Sequence, residues 1–228
     1  MNRVKFEHID QWVFDLDNTL YPAEMPLFDQ IKARMREFIA TLLGVDATAA
    51  AALRDAYWRQ YGTTLAGLMA EHDVAPDPFL AAVHDIDLSA LTPDPALDAA
   101  IRALPGRRIV YTNGSRAHAL RVLEARGLGQ GFDAIFGVED AGYRAKPAPE
   151  AFRAIFDKAG LATRSAAMFE DDIRNLEVPF ALGMRTVHVG PTTQAPHVDH
   201  STGDLTAFLS QLGRGRFPSP GDDLPSAL

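Results

Sequence analysis

Two aspartates one residue apart, Asp15 and Asp17 in Val13-Phe14-Asp15-Leu16-Asp17-Asn18-Thr19-Leu20, carry the clearest chemical potential in this chain. The apolar run Trp12 to Phe14 has the character of a buried parallel strand, and it ends in the two carboxylates and a turn-forming Asn-Thr pair. Open α/β sheets bind ligands just beyond the carboxyl ends of their strands, so the acids stand where chemistry is usually done. At strand spacing residues i and i+2 point to one side, and like charges that close repel unless a cation or a shared proton intervenes. Capping of the following helix is the plain structural alternative for either acid.

Three other groups fall at comparable places. The run Ile109-Val110-Tyr111 leads into Thr112-Asn113-Gly114-Ser115, whose hydroxyl, amide and backbone N–H groups at a helix start suit a phosphate or oxyanion; an N-cap from Ser115 is the competing reading. Lys146 stands before Pro147-Ala148-Pro149, where the prolines hold the backbone extended and start a helix, which favours a positioned charge over a surface lysine. Ala166-Ala167-Met168-Phe169 ends in Glu170-Asp171-Asp172, either a solvated helix start or, with Asp15, a site for a hard cation such as Mg²⁺. Gathering Asp15, Asp17, Glu170, Asp171 and Asp172 against Lys146 favours the cation, because two like charges 4 Å apart repel by about 4 kcal/mol near a protein surface. A metal, an anchored phosphate and a carboxylate nucleophile together describe phosphoryl transfer.

The elements that must position these groups follow from the apolar pattern. Strands are expected at Gln11 to Asp15, Arg108 to Thr112, Ala134 to Gly137, Ala166 to Glu170 and Thr186 to Val189, with helices at Arg116 to Arg126, Pro149 to Ala159 and Ile173 to Leu182. This alternation gives an α/β fold with a doubly wound, mostly parallel, Rossmann-like sheet. Roughly ninety residues separate the first two strands, far more than a crossover needs. Helical patterns at Glu24 to Leu43, Ala47 to Tyr61, Leu65 to Glu71 and Pro78 to Val83 make residues 21–94 a helical cap inserted into a core of 1–20 and 95–212. Pro22 and Pro26 mark its entrance, Pro93 and Pro95 its exit. A last helix is expected at Leu205 to Leu212, followed by a mobile tail over 213–228.

Composition excludes several partners. The 228 residues carry a formal charge of −8 and a pI near 5.3, which argues against a nucleic acid polymer or an anionic membrane. No window holds the ~20 apolar residues of a membrane span, and residues 1–7 lack the apolar region of a signal peptide. There is no cysteine, which rules out disulfides and thiolate chemistry and fits a cytoplasmic protein.

Taken in chain order, DxDxT at the first strand, Thr after the second, Lys before a helix and an acidic pair after the fourth resemble the haloacid dehalogenase-like hydrolases over about residues 10–190. The resemblance implies Asp15 as the nucleophile that forms an aspartyl-phosphate, and Asp17 as general acid then base. It implies Thr112 and Asn113 on phosphoryl oxygens and Lys146 neutralising them and orienting Asp15. Mg²⁺ would be held by Asp15, the backbone carbonyl of Asp17, and Asp171, with Glu170 acting from behind or through water and Asp172 beside it or only capping the helix. Dehalogenases of the superfamily lack the second acid, so Asp17 points to a small-molecule phosphomonoester substrate. Leu20-Tyr21-Pro22, Met25-Pro26-Leu27-Phe28 with Ile31, Met35 and Phe38, and the turn Tyr61 to Leu68 resemble the pyrimidine 5′-nucleotidase branch, with Thr63 and Thr64 either binding sugar or base or capping a turn. A sugar-phosphate phosphatase or phosphomutase, and a non-catalytic binding module on the same fold, are the rival readings. His197 and His200 have the spacing of a metal pair but read as solvated; His188 reads as structural; Trp12, Trp58 and Phe79 as packing; Glu139 and Asp140 as a solvated loop.

Overall fold

Asp15 and Glu170 reach the same edge because their strands run side by side in register. In the computed structural model, which describes residues 6–213, β1 (Gln11–Phe14) pairs in parallel with β2 (Arg107–Tyr111) on one side and β4 (Ala166–Glu170) on the other. Phe14 lies level with Val110 and with Phe169, so the residues that follow all three strands emerge together. With β3 (Ala134–Phe136), β5 (Arg185–Val189) and β6 (His200–Thr202) the sheet has the parallel order β3-β2-β1-β4-β5-β6. The order reverses between β1 and β4, the place where such sheets open a crevice at their carboxyl ends.

Alternation along the strands splits the core into two layers. Phe14, Val110 and Phe169 face α5 (Pro95–Arg102), α6 (Arg116–Ala125) and α9 (Leu205–Gly213), and the Phe14 and Phe169 rings stack with centroids 4.7 Å apart. Val13, Ile109, Tyr111 and Met168 face α7 (Pro149–Ala159) through Phe152, Ile155 and Phe156. A tight turn at Ile173–Leu176 and the short α8 (Glu177–Ala181) lead into β5.

Between β1 and α5 lie α1 (Leu27–Leu43), α2 (Ala47–Tyr61), α3 (Thr64–His72) and α4 (Pro76–Val83). Their mutual faces bury Ile39, Ala50, Tyr57, Leu68, Phe79 and Val83 in a cluster of their own, joined by Val138 from beyond β3. Leu27 and Ile31, by contrast, pack into the sheet's own core and anchor the insertion at its entrance.

Three elements depart from expectation. Residues 173–182 form a 3₁₀ turn followed by α8 rather than one helix; Pro179 in the middle lacks the N–H a longer helix would need. The helix α5 was not expected, although Asp94 caps it by accepting from the Leu97 N–H and Pro95 starts it. The strand β6 crosses the segment expected to be solvated and seats His200 against the Phe6 and Phe208 rings, with centroids 5.6 and 5.8 Å away. The tail expected over 213–228 lies outside the described residues beyond Gly213, where α9 ends.

Candidate active site

Lys146 is the hinge of the site's charge balance. It is 1% exposed, and its Nζ donates to Asp15 Oδ1 at 2.7 Å, to Glu170 Oε2 at 2.6 Å and to the Tyr111 carbonyl at 3.0 Å. Its loop is locked by Asn113, whose side chain accepts from the Lys146 N–H at 2.8 Å and donates to the Lys146 carbonyl at 3.0 Å. The lysine loop thereby orients the Asn113 amide, whose Nδ2 keeps a second N–H beyond the one given to Lys146. Thr112 is buried with Oγ1 accepting from the Gly114 N–H at 2.9 Å, which leaves the hydroxyl proton for an anion beside Asp15. Ser115 caps α6 by accepting from the His118 N–H.

Oxygens of Asp15, Glu170 and Asp171 lie within 4.8 Å of one another. Asn18 fixes Asp171 by donating from Nδ2 to Oδ2 at 3.1 Å, and His188 holds the Asp171 carbonyl through Nε2 at 3.0 Å, the structural role expected of it. Crowded, buried carboxylates resist ionisation. Burial, then the charge of Glu170, pushes Asp15 up to about 8 despite Lys146; burial pushes Glu170 up to about 7; burial and Asp15 push Asp171 up to about 6. Burial alone would lower the Lys146 pKa, but Asp15 and Glu170 outweigh it and drive it up. One ammonium does not neutralise three acids. An all-oxygen set with this spacing and a surplus of negative charge suits a hard divalent cation, so the residues fit Mg²⁺.

Asp17 has a different environment. Its Oδ1 accepts from the Tyr21 hydroxyl at 2.8 Å and bonds His118 Nε2 at 3.0 Å. Burial would raise its pKa, but His118 and Tyr21 together hold it below the ordinary carboxylate range. The His118 ring stacks on His84 with centroids 4.3 Å apart, and His84 Nδ1 meets Ser115 Oγ at 3.1 Å. Burial, then His118, lowers the His84 pKa to about 3, so that ring is neutral.

Above these groups a cavity of about 410 Å³ opens between the strand ends and the inserted helices, lined among others by Asp15, Asp17, Thr112, Thr63, Trp58 and Arg174. Asp172 turns to Arg174, pairing with it at 2.5 Å and accepting from its N–H, while its own N–H donates to Glu170 Oε1 at 3.2 Å. Thr63 caps α3, and Thr64 donates weakly to the Arg54 carbonyl at 3.5 Å.

Several side chains depart from their sequence reading. Trp58 is not core packing: it is 47% exposed with the Arg174 guanidinium 4.2 Å over its ring at the cavity wall. Glu139 and Asp140 are not a solvated loop. Glu139 accepts from the Arg116 N–H, and the buried Asp140 carboxylate binds Arg116, Lys158 and the Gly137 N–H. His197 is not free in solvent but holds the Ile173 carbonyl at 2.8 Å. Trp12 and Phe79 do pack, Trp12 donating its indole N–H to the Pro105 carbonyl at 2.7 Å.

The model of the haloacid dehalogenase-like hydrolase family matches residues 9–183, which includes every strand-end group described above. The chain belongs to that family. Phosphate metabolism protein 8 of Saccharomyces cerevisiae is 28% identical to this hydrolase over 194 residues, covering 77% of it; the hydrolase spans 59% of the length of that curated relative. Among solved structures, a HAD phosphatase from Thermococcus onnurineus superposes with a TM-score of 0.61 at 17% identity, covering 92% of this chain and 99% of its own. A 2-haloacid dehalogenase from Pseudomonas syringae pv. Tomato DC3000 reaches 0.56 at 21% identity, with 90% and 97% covered. Likeness at this identity speaks for the hydrolase fold, and the fold alone serves both chemistries. Among the described residues no helix is long and apolar enough to cross a membrane.

The sequence assigns no site role to Tyr21, His118, His84 or Asn18, although Asn18 and Tyr21 stand in motifs it does mark. Asn18 lies within the leading motif and Tyr21 directly after it, whereas the His118–Asp17 bond spans 101 positions.

Proposed function

We propose that this hydrolase is a Mg²⁺-dependent phosphomonoesterase that works through an aspartyl-phosphate on Asp15, with nucleoside 5′-monophosphates as its substrate class. The observation that carries the reading is the second acid. Asp17 lines the cavity beside Asp15, held by Tyr21 and His118, and an alcohol leaving group needs a proton where a halide does not.

Asp15 attacks phosphorus while Lys146 orients it and offsets charge, and Thr112 with Asn113 receives phosphoryl oxygens. Asp17 gives its proton to the departing oxygen as the P–O bond breaks. A dianionic phosphate beside it favours the protonated form that this step requires. Asp17 then takes a proton from the water that cleaves the aspartyl-phosphate, restoring both acids. Asp15, Asp171 and the Asp17 carbonyl would hold Mg²⁺, with Glu170 contributing to the same acidic cluster and Asp172 braced behind it by Arg174. When bound, the ion supplies positive charge against the phosphoryl oxygens. The helices α1–α4 serve as a cap that screens the reaction from water.

Support for a nucleotide comes from the cavity: its volume of about 410 Å³ leaves room for more than a phosphate, and Trp58, Thr63 and Thr64 are among its lining. The test is kinetic. Asp15→Asn is expected to abolish Mg²⁺-dependent hydrolysis, and a panel of phosphomonoesters should rank nucleoside monophosphates at least about tenfold above sugar phosphates in kcat/KM. Activity surviving in Asp15→Asn rejects the nucleophile; hexose phosphates ranking first rejects the nucleotide class.

A further inference from the structure

Asp17 ends its side chain on a soft torsion, since the final Asp rotation is broad and shallow. A carboxyl that must meet a leaving oxygen in the transition state has to be held against that freedom. Tyr21 and His118 both bind one oxygen of Asp17, Oδ1, at 2.8 and 3.0 Å, and they approach from different elements, Tyr21 from the loop after β1 and His118 from α6. Both side chains are buried, Tyr21 at 2% exposure and His118 at 1%. Against a carboxylate, which can only accept, His118 donates from Nε2. That leaves its buried Nδ1 with no hydrogen bond among the described residues, an arrangement that costs stability rather than adding it. A histidine kept at that expense, with its one side-chain hydrogen bond aimed at Asp17 and its ring backed by His84 at 4.3 Å, has a purpose other than packing.

We propose that Tyr21 and His118 are positioning residues that fix Asp17 by Oδ1 and so present Oδ2 to the leaving-group oxygen. The clamp rests on the reading of Asp17 as the proton carrier and extends it to the two groups that make it effective. Its signature is selectivity for poor leaving groups. An alkyl alcohol departs only with a proton, whereas p-nitrophenolate departs without one. The ratio kcat/KM covers only the steps through phosphoryl transfer to Asp15, so it leaves out the later hydrolysis in which Asp17 also serves.

The experiment compares kcat/KM for an alkyl phosphate and p-nitrophenyl phosphate, both with Mg²⁺, in the parent, Tyr21→Phe, His118→Asn, His118→Gln and Asp17→Asn. Tyr21→Phe removes one hydroxyl and keeps the ring, so it retains the packing. The aryl-to-alkyl ratio is expected to rise about tenfold or more in Tyr21→Phe and His118→Asn, within the 10²–10⁴ that general acid catalysis contributes. His118→Gln, whose amide nitrogen reaches the Nε2 position, should recover part of that loss where His118→Asn does not. A purely structural role for either residue would depress both substrates alike and leave the ratio unchanged, which overturns the clamp. If Asp17→Asn itself treats the two leaving groups alike, the proton-carrier reading falls and the clamp with it. If Asp17→Asn discriminates while Tyr21→Phe and His118→Asn do not, the clamp alone is wrong.

Discussion

Two buried carboxylates on one ammonium, with the half-buried Asp171 beside them, make a residue-scale device whose behaviour depends on pH. Asp15, Glu170 and Asp171 are pushed up to about 8, 7 and 6, against ordinary values of 3.8, 4.5 and 3.8. A group whose pKa is raised on folding stabilises the fold fully below its unfolded value, and that contribution is lost as pH rises through its folded value. Without a divalent ion, thermal stability should therefore fall from about pH 4 to pH 8, as each acid must ionise in place. Mg²⁺ should restore most of it, and restore more at pH 8 than at pH 5, because the ion binds the ionised cluster. Melting curves in EDTA and in Mg²⁺ across that range check this; a Mg²⁺ effect independent of pH would reject the cluster as the binding place. At this scale the sequence was informative for groups that end an apolar run, as Asp15 and Glu170 do, or precede a proline, as Lys146 does. It was silent on His118, whose type and helical setting are ordinary and whose meaning arises only when α6 crosses to Asp17. Nor could it show that the Asn113 amide is oriented by the Lys146 backbone, because that contact depends on two loops meeting.

Elements were legible in proportion to their apolar content. The strands β1, β2 and β4 carry runs of three or four apolar residues, as befits parallel strands buried on both faces. The strand β5 shows itself only by Val187 and Val189 alternating with Thr186 and His188; all four were read within a residue or two of their ends. The strand β6, His200-Ser201-Thr202, has no such run; it exists because β5 offers an edge to pair with. In the insertion, spacing located the helices but could not show how closely they meet. Gly67 in α3 lies against Tyr57 of α2, and a Cβ at Gly67 would come within 2.4 Å of the Tyr57 Cβ. Gly67→Ala should improve α3 by helix propensity yet lose more by prying the helices apart, a net destabilisation of about 1–3 kcal/mol. Urea unfolding measures it; a Gly67→Ala protein as stable as the parent would mean that the crossing has room to spare.

At the scale of the whole molecule, the polar contacts between the insertion and the sheet side include Arg174 over Trp58, the Tyr143 hydroxyl donating to Asp77 at 2.5 Å, Ser115 with His84, and Arg121 donating to the His84 and Ile86 carbonyls. On the proposed reading, Asp15, Asp17, Thr112, Lys146 and Asp171 follow strands of the sheet or lie beside them, while Trp58 comes from the insertion. Phosphate capture and recognition of the rest of the substrate would then fall to different parts of the chain. This division makes Trp58 separable from chemistry. Its half-exposed indole stands at the cavity wall contributed by α2, where a nucleobase could lie against it once the phosphate is seated at Asp15. Loss of one base–aromatic contact is worth about 1–3 kcal/mol, or roughly five- to a hundredfold. Trp58→Ala should therefore raise KM for nucleoside monophosphates by about tenfold or more while leaving KM for a small alkyl phosphate nearly unchanged. The comparison is made at saturating Mg²⁺ with the two substrates side by side. Equal changes for both would assign Trp58 to holding the cap against Arg174, and the recognition of a base would then have to be sought elsewhere in the cavity.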